Sequence, residues 1–242
     1  VRVGAETAGK IGEAARTHGI QLSLHAPYFI NLSSRDPKRM EGNCRYVLES
    51  CAAAQAMGAD HIVVHTGGLG KQSRDKAFAN TVENVKELLA IQEQEGYGNL
   101  TLCLETMGKI NVIGTAEEIF RLVALDDRLL PCIDFGHLNA RTQGGLTERA
   151  AVAALFDQME QLIGMERARR FHSHFSKIEY GKGGEVRHLT FEDTQYGPDF
   201  TPFAEEIAAR GYQPRMICES AGTQARDAVE MMRIYQMQQK KG

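Results

Sequence analysis

Short apolar, β-prone runs alternate along this chain with longer stretches whose apolar residues recur at helical spacing. The runs are Leu22-Ser23-Leu24-His25, His61-Ile62-Val63-Val64-His65, Thr101-Leu102-Cys103-Leu104-Glu105, Pro131-Cys132-Ile133-Asp134, Arg170-Phe171-His172 and Met216-Ile217-Cys218-Glu219. The stretches predict helices over 5–17, 43–57, 73–95, 115–124, 147–163, 202–210 and 223–238. Gly19, Gly58, Gly96, Gly164 and Gly211 stand where a helix stop is expected. Thr115 and Glu118 have the spacing of a capping box.

Regular alternation of strand and helix predicts an α/β fold with a parallel sheet and right-handed crossovers. The run ends at 25, 65, 105, 134, 172 and 219 fall about one β/α unit apart, with no linker-like or low-complexity segment. The chain, 1–242, therefore reads as a single domain, and the repeat points to a TIM (β/α)8 barrel. Six runs are visible where a closed barrel has eight, and Val1 to Gly4 lead straight into a helix. The first two β/α units are thus expected to be missing from this sequence; an open sheet of six strands is the alternative.

Composition adds exclusions. A net charge of −3 carries no global signature of nucleic-acid binding, although Arg167, Arg169, Arg170, Lys177, Lys182 and Arg187 cluster locally. A second cluster is Arg35, Lys38 and Arg39, so a phosphate-binding rim is an open alternative to solvated surface. No apolar run reaches the roughly 20 residues of a membrane span, and the expectation is a cytoplasmic monomer with no membrane partner. Cys103, Cys132 and Cys218 sit inside apolar runs and read as buried thiols, and no Cys-x-x-Cys pair marks a zinc ribbon.

The chemistry lies in how the runs end. Every one ends in His, Asp or Glu: His25, His65, Glu105, Asp134 (with His137 after it), His172 and Glu219. Parallel α/β sheets build their sites at the C-terminal ends of their strands. Imidazoles and carboxylates together suit zinc or manganese, so the pattern predicts a polynuclear metal site. His18 reads as a surface residue, and His61 begins a run at the end away from the site. His174 shares a face with His172, further into the loop, as a group behind the ligands. Tyr28 and Asn31 place polar groups on the loop beyond His25, and Gly67-Gly68 allows a substrate close to the backbone.

These residues resemble the endonuclease IV family of abasic-site nucleases, within the wider group of xylose-isomerase-like barrels. The likeness runs through His25-Ala-Pro-Tyr-Phe-Ile-Asn-Leu, Val64-His65-Thr-Gly-Gly, Leu104-Glu105-Thr and Cys132-Ile-Asp134-Phe-Gly-His137. It continues through His172 with Lys177, Arg187-His188 and Cys218-Glu219-Ser. The resemblance implies a (β/α)8 barrel with two or three zinc ions, or manganese, that hydrolyses DNA on the 5′ side of abasic sites. It implies metal ligation by His25, His65 and Glu105, by Glu105, Asp134, His172 and Glu219, and by His137 and His188. Glu105 and Glu219 would also orient the nucleophile, and Tyr28, Asn31, Lys177 and Arg187 would contact the substrate. One departure stands out: the family's third-metal Asp would fall at Val186, so either Glu185 takes that role or the third ion is lost.

A sugar isomerase or epimerase of the same barrel group is the rival reading, with a sugar or small phosphate as substrate. It would hold a single ion at Glu105, Asp134, His172 and Glu219 and use two carboxylates to move a proton beside a carbonyl. His25, His65 and His188 favour the nuclease, because a one-ion enzyme does not need all three. A barrel that keeps metal only for structure is the remaining alternative.

Overall fold

Turn residues and apolar stripes set the element boundaries in the computed structural model, which describes residues 3–240. In chain order these are α1 (Ala5–Thr17), β1 (Ser23–His25), α2 (Pro37–Met57), β2 (His61–Val64), α3 (Arg74–Gln94) and β3 (Thr101–Glu105). There follow α4 (Ala116–Val123), β4 (Leu129–Asp134), α5 (Phe135–Arg141), α6 (Arg149–Ile163), α7 (Met165–Ala168) and β5 (His172–Phe175). The last are β6 (Ile178–Gly181), β7 (Gly184–His188), α8 (Thr201–Arg210), β8 (Arg215–Cys218) and α9 (Gln224–Gln239).

Several elements differ from the pattern-based expectation. Helix α2 starts at Pro37, ahead of its apolar stripe, because proline suits the first helical turn and the Asp36 carboxylate accepts the Lys38 N–H at 3.0 Å. Strand β5 begins at His172, the residue at which it was expected to end. The short helices α5 and α7 and the β6–β7 hairpin had no legible period.

The chain divides into two compact units, one running up to Glu105 and including Leu122–Leu130, the other comprising Thr106–Arg121 and the chain from Pro131 onward. In the first, β1, β2 and β3 form a parallel ladder with Leu24 opposite Ile62 and Ile62 opposite Leu102. Ile62, Val63, Val64, Leu102, Cys103 and Leu104 are buried, as are Val47, Cys51 and Ala54 of α2 and Val85, Leu88 and Leu89 of α3. Burial on both faces is why these strands read as apolar runs rather than alternating ones. All five cysteines are buried and none is in a disulfide, and burial pushes the Cys51 thiol up to about 12.

Helices α1 and α2 meet at Gly12, where a Cβ would fall within 3.0 Å of the Met57 backbone. Backbone cannot yield as a flexible side chain can, so Gly12→Ala is expected to lose about 1–3 kcal/mol of stability. That loss comes despite the roughly 1 kcal/mol that alanine gains in helix propensity. Gly9→Ala, with nothing within 4 Å of its Cβ, should instead stabilise. Urea midpoints of the two variants check the pair of opposite signs.

In the second unit β4, β5 and β8 form a parallel ladder, with Asp134 opposite His174 and His174 opposite Ile217. The aromatic core joins Phe135 to Phe203 at a 4.5 Å ring separation and Phe156 to Phe171 at 5.6 Å. The β6–β7 hairpin is antiparallel. No helix of the described residues is long and apolar enough to cross a membrane.

Candidate metal centre

Parallel strands bring their last residues to one end, so in the first unit His25 and Glu105 close β1 and β3 while His65 follows β2. His25 Nε2 lies 3.2 Å and His65 Nε2 2.7 Å from the same oxygen, Glu105 Oε2. Their other nitrogens face carbonyls: His25 Nδ1 is 2.6 Å from Ala26 O, and His65 Nδ1 is 3.0 Å from Tyr28 O. A carbonyl only accepts, so the ring proton sits on Nδ1 and the Nε2 lone pair is turned toward the carboxylate. Lone pairs facing a carboxylate oxygen repel unless a cation or a proton lies among them. The carbonyl partner that fixes the tautomer is also what metal-ligating histidines ordinarily have. Glu105 is only 1% exposed, which raises the cost of leaving that charge uncompensated.

The second group lies at the end of β4 in the other unit. Asp134 Oδ1 accepts the His137 N–H at 2.7 Å and so caps α5, while the Asp134 N–H donates to Thr106 Oγ1 at 2.9 Å. Its second oxygen, Oδ2, is buried without a hydrogen-bond partner. His137 Nδ1 is 3.3 Å away from it but is placed to donate to Thr106 O at 3.0 Å instead. Ligand atoms of Asp134, His174 and Glu219 lie within 4.8 Å of one another, with His174 Nδ1 3.2 Å from Glu219 Oε1. An orphaned carboxylate oxygen beside an imidazole and a second carboxylate fits a divalent cation.

Register decides which β5 histidine joins this group. His174 pairs with Asp134 and so reaches the C-terminal end of the ladder, whereas His172 pairs with Cys132, one pleat earlier. The sequence reading set His172 among the ligands and His174 behind them; the structure brings His174 to Asp134 and Glu219 and holds His172 beside Cys132. The physical reason is the late start of β5, which no sequence period reports.

His137, Glu185 and His188 make a third group, again with ligand atoms within 4.8 Å of one another. His137 Nε2 stands 3.4 Å from Glu185 Oε2, and His188 Nδ1 is 2.8 Å from Ser176 Oγ. In a regular strand Glu185 and His188, three residues apart, would point to opposite faces. The hairpin pairs Glu179 with Arg187 but Tyr180 with Glu185, so Val186 is an extra, bulged residue and is 57% exposed. The bulge resets the alternation and brings Glu185 to the face of His188. Gly184, at φ +89°, lets the hairpin press against Gly108, where a Cβ would collide with the carbonyl oxygen.

The expected substrate residues divide. Tyr28 and Phe29 are 79% and 51% exposed and stack edge-to-face at 5.6 Å, with Tyr46 5.0 Å beyond Phe29 and Arg45 over the Tyr46 ring. Arg187 is exposed and pairs with Glu179 at 2.7 Å. Asn31 spends its side-chain oxygen on Ser33, accepting from both N–H and hydroxyl. Lys177 is tied to Asp193 O at 2.7 Å and Asp199 Oδ1 at 3.0 Å, so it fastens the 193–199 loop.

Residues 2–235 match the family described as the xylose isomerase-like TIM barrel. The chain belongs to that family. This xylose isomerase-like barrel is 31% identical over 217 residues to an uncharacterized protein of Methanocaldococcus jannaschii, covering 89% of this chain and 77% of that one. It is 30% identical over 176 residues to a probable endonuclease 4 of Oceanobacillus iheyensis, covering 70% of this chain. The aligned part spans 57% of that endonuclease. Among solved structures a D-tagatose 3-epimerase-like protein superposes with a TM-score of 0.73 at 19% identity, covering 98% of this chain and 83% of that one. These likenesses place the fold among TIM-barrel-like α/β proteins and set it in a family of enzymes.

Proposed function

We propose that this chain is a metal-dependent phosphodiesterase that hydrolyses DNA at abasic sites, with zinc as its preferred ion and manganese as a substitute. The observation that carries the reading is the repetition of one device. His25, His65 and His137 each face a main-chain carbonyl with Nδ1 and a carboxylate oxygen with Nε2. A one-ion sugar enzyme needs a single cluster of ligands; three ligand groups fit an enzyme that holds several cations. When bound, such ions polarise a phosphoryl oxygen and generate a strong nucleophile at neutral pH.

The chain's own residues supply the rest. Glu105 in the first unit and Glu219 in the second each hold negative charge beside an imidazole, where a cation can be held and an attacking group oriented. Tyr28 and Phe29 offer exposed aromatic faces on which unstacked bases can lie, and the exposed Arg45 of the same unit offers charge to the backbone. The relative named probable endonuclease 4 supports DNA as substrate.

The test is nicking of a labelled duplex carrying one abasic analogue, with an intact duplex as control. Cleavage 5′ to the lesion that disappears on chelation is expected, and His65→Ala should lose one metal ion per chain and lower the rate by at least about 100-fold, since even an outer partner of a ligand costs 10–100-fold. The epimerase-like neighbour favours a second reading, in which Asp134, His174 and Glu219 belong to a one-ion sugar site. Absence of nicking together with interconversion of ketoses would transfer the assignment to it.

A further inference from the structure

We propose that Cys132, His172 and His174 form a second, thiophilic metal site beneath the strand ends of the second unit. All three side chains are buried, and their ligand atoms lie within 4.8 Å of one another. Cys132 Sγ is 3.5 Å from His172 Nδ1. Zn–S near 2.3 Å and Zn–N near 2.0–2.1 Å at a tetrahedral angle separate sulfur and nitrogen by roughly 3.5 Å, so the pair is already at ligand spacing. The rings of His172 and His174 stand 5.3 Å apart at 82°, edge toward face rather than stacked, which leaves ring edges to converge. His174 turns Nδ1 to Glu219, and an imidazole has a second nitrogen for a neighbour on its other side.

The donor set differs in kind from the one above it. Asp134 and Glu219 are hard oxygen donors that accept manganese, whereas a thiolate with imidazoles selects zinc, cobalt or cadmium. Loading converts the Cys132 S–H to an S–metal bond and releases one proton to solvent. The site shares His174 with the proposed catalytic ligands but needs neither nuclease nor epimerase activity.

The experiment titrates the metal-stripped full chain with Co2+ and, separately, with Mn2+. Wild type should develop a thiolate-to-cobalt charge-transfer band in the near ultraviolet. Cys132→Ser and Cys132→Ala, each checked for folding by its urea transition, should lose that band and one Co2+ per chain, with Mn2+ uptake unchanged. Co2+ uptake without the band in wild type, or a band that survives both substitutions, overturns this site and leaves the proposed function standing. No uptake of either ion by wild type overturns both.

Discussion

Asp134→Asn is expected to make the metal-free protein more stable while weakening its response to metal. The amide keeps Oδ1 for the His137 N–H, so the α5 cap survives, asparagine being as good a cap as aspartate. What changes is Oδ2, a buried oxygen with no hydrogen-bond partner. Such a group costs about 1–3 kcal/mol when neutral and more when charged, and removing the charge recovers part of that cost. A cation recovers it differently, by binding only the folded state: at a concentration of 100 times its Kd, metal stabilises by about 2.7 kcal/mol. Wild type should therefore gain several degrees in Tm on loading, and the variant should gain distinctly less, keeping only what the ligand groups without Asp134 contribute. Its hydrolytic rate should fall by at least about 100-fold. Melting curves of both proteins, with chelator and with Zn2+, contain the whole test. A variant that is less stable when stripped and still responds fully to metal would mean that Asp134 is only a helix cap.

The second large effect lies away from the ligands. Arg210, with its side chain 18% exposed, donates to Glu206 at 2.9 Å, Glu160 at 2.9 Å and Asp157 at 2.7 Å, and also to the Ala153 carbonyl. Glu206 takes a further bond from Arg149 at 2.9 Å, and the Tyr212 hydroxyl donates to Glu160. Arg210→Met preserves the stem and its packing but leaves three carboxylates facing one another. Breaking a buried pair on one side costs about 3–5 kcal/mol. Asp157, 68% exposed, accounts for little of that, because water screens it.

The loss should depend on pH with a definite sign. Burial alone would raise the Glu206 pKa, but the hydrogen bonds from Arg149 and Arg210 outweigh it and hold the group below its ordinary 4.5. A depressed carboxylate contributes stability above its unfolded pKa and loses it as pH falls through the folded value. The difference between wild type and Arg210→Met should thus be full at neutral pH and shrink below about 4.5. Urea unfolding at pH 7 and near pH 3.5 measures it; a difference that grows in acid would rule out the ion-pair account.

The sequence by itself determined the α/β alternation, because strands buried on both faces must be apolar throughout and helices must carry a stripe. It also pointed to most of the residues that the fold gathers into groups able to hold a metal. A run such as Thr101-Leu102-Cys103-Leu104 that ends on a buried Glu105 has no reason of packing to do so. What the tertiary structure alone decided is which neighbours those residues meet. His174 rather than His172 stands level with Asp134 because strand pairing, a long-range choice, sets the register of β5. Glu185 reaches His137 and His188 because Val186 bulges out of β7, and a bulge depends on the partner strand and not on local composition. Lys177 is lost to the 193–199 loop for the same kind of reason: a local pattern identifies a cation but does not say which carboxylate the folded chain will bring to it. Burial is legible one residue at a time, whereas a ligand set is a property of register.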